Sequence, residues 1–131
     1  MEYVGVVLVS HSPELVKGLK QLLSQLNPHV PIALAGGTDE EEIGTSVDKI
    51  HSAIKSVCSD KGVIVFFDLG SALINTELAM ERLAEDNITN VHIADSPLVE
   101  GAYAALVESG CGSTLEEVIK VAREAKSLVK I

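Results

Sequence analysis

Four short apolar runs, each followed by a stretch with helical spacing, limit what this chain can fold into more than any other feature. The runs are Tyr3–Ser10, Val30–Ala35, Val63–Phe67 and Val91–Ala94. Strands that alternate with helices form a parallel sheet with right-handed crossovers, so every strand ends on the same rim. The 131 residues fit one domain, 1–131, without linker or repeat. Aromatic residues make up 3% of the chain and Trp is absent, so the core has to be built from Val, Ile, Leu and Ala. Such a core suits a parallel sheet covered on both faces. The expected fold is a doubly wound α/β domain with a mainly parallel four-stranded sheet. An order 2-1-3-4 would set strands one and three side by side, with His11 facing Asp68 at the switch point.

Local signals place the helices between these runs. Ser12 can cap a helix that starts at Pro13 and carries Leu15, Leu19, Leu22, Leu23 and Leu26, ending at Asn27-Pro28. Ile43, Val47, Ile50, Ile54 and Val57 share one face of a second helix. The acidic run Asp39–Glu42 reads as its solvated start, favoured by the helix dipole, with Thr38 and Asp39 as caps. A third helix follows Asp68-Leu69-Gly70-Ser71 and ends near Asp86-Asn87. A fourth follows Asp95-Ser96-Pro97, with the first two as caps, and runs to Ser109 before Gly110-Cys111-Gly112. Thr114 and Glu117 have capping-box spacing for a last helix with Leu115, Val118, Ala122, Ala125 and Val129 on its apolar side.

The rim segments are Ser10-His11-Ser12, Gly36-Gly37-Thr38, Asp68-Leu69-Gly70-Ser71 and Asp95-Ser96-Pro97. His11 offers a ring nitrogen that is free near neutral pH. Asp68 can hold the Nδ1–H of His11 and leave Nε2 outward with its lone pair. Gly70 and Ser71 open a helix whose unpaired N–H groups suit an anion. Ser12 and Thr38 add hydroxyls. A nucleophilic imidazole, an orienting carboxylate and an anion cradle together suit transient phosphorylation of His11. Each part also has a plainer use: His11 as a loop residue, Asp68 as an Asx-turn or cap, the glycines as turns. His29 and His51 read as surface residues, and His92 as a core or edge histidine. Cys58 reads as a small core residue.

Charge and cysteine usage narrow the alternatives. With 19 acidic and 10 basic residues the net charge is −9, which disfavours nucleic acid. Cys58 and Cys111 form no C-x-x-C pair, and no metal-ligand cluster or cofactor motif accompanies the rim. No basic segment precedes an apolar stretch at the amino terminus, and no apolar run approaches a membrane span, so a cytoplasmic protein is expected. A flavin site lacks aromatic residues to stack on. A receiver-like reading, with Asp68 as acceptor, lacks the acidic cluster that would hold magnesium. A phosphatase or mutase built on His lacks arginines on the rim.

Val6-Val7-Leu8-Val9-Ser10-His11-Ser12 resembles the start of the phosphotransfer subunits of phosphotransferase-system-dependent dihydroxyacetone kinases. Ala35-Gly36-Gly37-Thr38, Ile43-Gly44-Thr45-Ser46, Phe67-Asp68-Leu69-Gly70-Ser71-Ala72 and Ser96-Pro97-Leu98-Val99-Glu100-Gly101-Ala102 extend the resemblance in one collinear order. The chain is similar, more distantly, to the IIA domains of mannose-type sugar phosphotransferase systems. The resemblance implies that the phosphocarrier HPr donates to Nε2 of His11. His11 would then pass the group to ADP on the nucleotide-binding subunit of the kinase, for dihydroxyacetone held on another subunit. It also implies a homodimer. A IIA component serving a sugar permease is the alternative.

Overall fold

The computed structural model describes residues 2–131. The chain runs β1 (Gly5–Ser10), α1 (Pro13–Leu23), β2 (Ile32–Gly36), α2 (Val47–Val57), β3 (Val63–Phe67), α3 (Gly70–Glu85), β4 (Val91–Ile93), α4 (Leu98–Gly110) and α5 (Leu115–Glu124), with a closing 3₁₀ turn at Ala125–Ser127. The four strands form one parallel sheet in the order β2-β1-β3-β4, as the doubly wound reading requires. Every residue of β1 is buried, because this central strand is covered on both faces.

Alternation along the strands sorts the core into two layers. Val6, Leu8, Ile64 and Phe66 face α1, α4 and α5 through Val16, Leu19, Leu23, Ala102, Leu106, Val118 and Ala122. Val7, Val9, Val63 and Val65 face α2 and α3 through Ile50, Ala53, Ile54, Ala72, Ala79 and Leu83. Small residues on α4 let it lie close to the sheet. A Cβ on Gly101 would stand within 3.0 Å of Phe66 and closer still to Ser96. The buried Ser109 hydroxyl donates to the Val4 carbonyl at 2.7 Å and ties the far end of α4 to the entry of β1.

Several boundaries differ from the sequence reading, each for a local reason. The stretch Asp39–Ser46 is a loop and not the start of α2, and Ile43 is 75% exposed. Glu41 and Gly44 adopt positive φ (61° and 144°), which breaks the helical path, and Ser46 caps α2 by accepting from the Lys49 N–H. Thr38 and Asp39 are therefore not helix caps. Asp95 and Ser96 do not cap α4 either: Pro97 occupies the cap, the Ser96 hydroxyl donates to the Ala122 carbonyl, and Asp95 pairs with Lys126. On α1 the buried set is Pro13, Val16, Leu19 and Leu23, while Leu15 and Leu22 are exposed. The last helix gives way at Ala125, leaving Val129 81% exposed. Cys58 terminates α2 at the edge of the core, half-buried. The capping box at Thr114 and Glu117 forms as expected.

Candidate functional site

Register places the site. Val9 of β1 pairs with Phe67 of β3, so the residues that follow, Ser10-His11 and Asp68, leave the sheet side by side. The Asp68 carboxylate then reaches back across β1. Its Oδ2 accepts from the Ser10 hydroxyl at 2.8 Å and the His11 backbone N–H at 3.0 Å. Its Oδ1 accepts from the Leu69 N–H at 2.7 Å and faces His11 Nδ1 at 2.9 Å. An ionised carboxylate only accepts, so Nδ1 carries a hydrogen, and in the neutral ring the lone pair is then on Nε2. Nε2 meets the Ser71 hydroxyl at the start of α3.

The electrostatics favour a charged Asp68. Burial alone would push this carboxyl up. Hydrogen bonds from the His11 backbone, the Ser10 hydroxyl, the His11 ring and the Leu69 N–H outweigh burial and hold it below its ordinary value. The His11 and Asp68 side chains keep 21% and 14% of their surface, enough for a partner atom to reach Nε2 from one side. Leu69 stands at the N-cap of α3 without a side-chain cap bond, so no capping side chain covers the first N–H groups of the helix whose Ser71 meets Nε2. A Cβ built on Gly70 meets nothing within 4 Å, so the space above the helix start is open.

The loop between β2 and α2 forms the other wall. Gly37, at φ 76°, donates its N–H to the Ser10 carbonyl at 3.0 Å, and Gly44 donates to the His11 carbonyl at 2.9 Å. The Thr38 hydroxyl accepts from the Glu42 N–H within this loop, and Ser12 accepts from the Leu15 N–H as the cap of α1. Asn75, one turn after Ser71, donates to the Thr45 hydroxyl and joins the loop to α3. Asp95-Ser96-Pro97 follows β4 and is bonded to α5 instead, so this fourth rim segment does not join the His11 group. His29 is exposed, while His51 on α2 and His92 on β4 are half-buried. Burial, with Arg123 nearby, pushes the His92 imidazole down.

Ser10 is the participant that sequence reasoning missed. It is fully buried at the end of β1, donates to Asp68 and accepts from the Ser12 N–H. A hydroxyl ending an otherwise apolar strand is the one trace it leaves in the sequence, and that trace does not tell a buried donor from a solvent-facing serine. Among the described residues no group of three or more His, Cys, Asp or Glu side chains is placed to hold a metal ion. No helix among them is long and apolar enough to cross a membrane.

Residues 5–119 match the family EIIA-man, described as PTS system fructose IIA component. A phosphotransferase subunit DhaM of a PTS-dependent dihydroxyacetone kinase from Lactococcus lactis is 40% identical over 114 residues, covering 87% of this chain and 89% of the relative. A phosphoryl donor subunit DhaM from Providencia stuartii is 36% identical over 126 residues, but these cover 93% of this chain and only 26% of that longer protein. Among solved structures, a protein of unknown function superposes with a TM-score of 0.84 at 34% identity, covering 95% of both chains.

Proposed function

The chain belongs to the EIIA-man family of phosphotransferase-system IIA components and resembles its DhaM members, and from that premise we propose that it is a phosphoryl carrier that forms phosphohistidine at His11 and serves a dihydroxyacetone kinase. The observation that carries this reading is the two-sided hold on His11: Asp68 on Nδ1 and the open start of α3 at Nε2.

The chemistry follows from that hold. The Nε2 lone pair attacks phosphorus on the donor, the phosphocarrier HPr; the Nε2–P bond forms as the bond from phosphorus to the donor breaks. The Nδ1 proton stays on the ring, and the Asp68 carboxylate stabilises the cationic imidazole of the phosphorylated state. The phosphoryl oxygens lie against the Gly70 and Ser71 N–H groups and the Ser71 hydroxyl, and the Ser12 and Thr38 hydroxyls, which accept from the Leu15 and Glu42 N–H groups, keep their own hydrogens to donate to the same group. In the second half an ADP oxygen on the kinase's nucleotide-binding subunit attacks phosphorus, the Nε2–P bond breaks, and the resulting ATP phosphorylates dihydroxyacetone on the companion subunit. No cofactor or metal is required of this chain in either step. The relay operates in the cytoplasm, and the carrier acts as a homodimer.

The relatives' kinase-subunit names favour this route over a IIA component of a sugar permease. The test is incubation with phosphoenolpyruvate, enzyme I and HPr, followed by intact-mass measurement. Uptake of one phosphoryl group, abolished by His11→Ala and discharged by the ADP-loaded kinase subunit, is the expected result. Uptake that survives His11→Ala, or discharge to a sugar permease but not to the kinase, would overturn it.

A further inference from the structure

Lys49 stands out among the lysines of this acidic chain. Its side chain is 24% exposed, against 49% to 68% for the other paired lysines Lys126, Lys17 and Lys130. It lies in the first turn of α2, where a cation opposes the helix dipole. Helix stability therefore does not explain the placement. The ammonium group donates to the Gly36 carbonyl at 3.0 Å, at the end of β2, and to Glu41 Oε1 at 2.8 Å. One cation thus joins the sheet rim, the start of α2 and the middle of the loop.

Glu41 is held in an uncommon conformation. It is one of two non-glycine residues at positive φ among the described residues, a backbone state that is strained for an L side chain. The hydrogen bond and charge of Lys49 hold its carboxyl below the ordinary value. Three residues later the same loop delivers the Gly44 N–H to the His11 carbonyl. Two further bonds fix the far end of the loop, Ser46 to Asp39 and Asn75 to Thr45. The His11 backbone is therefore gripped from opposite sides, by Asp68 at its N–H and by Gly44 at its carbonyl.

We propose that Lys49 is a positioning residue of the phosphoryl-transfer site: by clamping Glu41 and the Gly36 carbonyl it fixes the Gly37–Ser46 loop in the conformation that lets Gly44 orient His11. This rests on the reading of His11 as the phosphoryl acceptor. Lys49 does not touch the reacting atoms in this scheme. Its effect reaches Nε2 through the loop and the His11 backbone, so it belongs to turnover more than to partner affinity.

The experiment uses the full chain with HPr as donor and compares Lys49→Met, Lys49→Arg and Glu41→Gln. Because misplacement of a reacting group by about 1 Å can cost up to about 100-fold, loss of the clamp is expected to lower kcat for phosphorylation by about 10-fold, with KM for HPr changed by less than about 2-fold. Hydrogen exchange at the Gly44 amide, followed by NMR, should accelerate in Lys49→Met, and Lys49→Arg should restore both readouts in large part. Glu41 is 60% exposed, so Glu41→Gln leaves no buried group unpaired and gives a second probe should Lys49→Met fail to fold. It should change kcat and Gly44 exchange in the same direction by a smaller factor. Wild-type kcat in folded Lys49→Met or in Glu41→Gln, or an effect confined to KM, overturns the clamp while leaving the acceptor reading intact. The acceptor itself is checked with phosphoramidate, a donor that needs no protein partner. If His11→Ala still takes up its phosphoryl group with release of ammonia, the acceptor reading falls and the clamp with it.

Discussion

Asp68 collects hydrogen bonds from Ser10, from the backbone and ring of His11 and from Leu69, more than a helix cap or Asx-turn uses. The depressed carboxyl has a definite consequence with pH. A group whose folded value lies below its unfolded value stabilises the fold fully above the unfolded value, here 3.8, and loses that contribution as pH falls through the folded one. Asp68→Asn should therefore be less stable than the parent chain by a constant amount above about pH 5, and the gap should close as the pH falls below 3.8. Urea unfolding of both proteins across that range measures it, and a gap that widens toward low pH would contradict the assignment. The same substitution should slow phosphoryl transfer by roughly 100-fold, since an orienting and stabilising group is lost at the reacting ring. That His11 and Asp68 leave the sheet on one rim was legible because both follow apolar strand runs. The part of Ser10 was not, because a serine at a strand end has the same pattern whether it points to solvent or into a carboxylate.

Two helix starts illustrate what local signals can carry. At α5, Thr114 and Glu117 close a capping box, and both the sequence spacing and the final bonds tell the same story. At α3 the cap is Leu69, which supplies no side-chain acceptor, and the first turn holds no acidic residue. An uncapped helix start beside the proposed acceptor His11 is available to an anion. Gly70→Ala tests this at the level of the element. The added methyl meets no protein atom, and alanine favours the helix, so stability should stay within about 1 kcal/mol of the parent or rise. Phosphorylation of His11 should nonetheless slow, because the methyl occupies space over the helix start where phosphoryl oxygens would lie. Thermal unfolding and phosphorylation rates, measured together, separate the two effects; an unchanged rate would remove the anion cradle from the scheme. The loop at Asp39–Ser46 shows the limit of periodicity. Ile43 has helical spacing with Val47, yet the bonds from Lys49 and Asn75, and that from the Gly44 N–H to the His11 carbonyl, hold this segment as a loop against the site.

Across the whole molecule the net charge of −9 is spread over a surface that carries exposed apolar residues beside the site, Ile43 and Leu69. The carrier proposed above has to release each partner, so brief contacts serve it, and long-range charge raises the rate of encounter with basic surfaces. The second-order rate of transfer from HPr should fall as salt rises from about 0.05 to 0.5 M, with kcat at saturation little changed. Phosphorylation by phosphoramidate should show no such fall, and a rate from HPr that is flat in salt would exclude steering. The sequence by itself determined the alternation of strands and helices, the parallel sheet and the two residues at the strand ends, because burial and backbone conformation leave a periodic trace in the order of residues. Tertiary structure decided which strands are neighbours, and therefore that Asp68 meets His11. It also decided that Thr38 bonds within its own loop, that Asp95 and Ser96 turn to α5, and that Lys49 reaches Gly36 and Glu41. Those pairings join residues whose partners are fixed only once the crossovers have closed, and no periodicity along the chain records them.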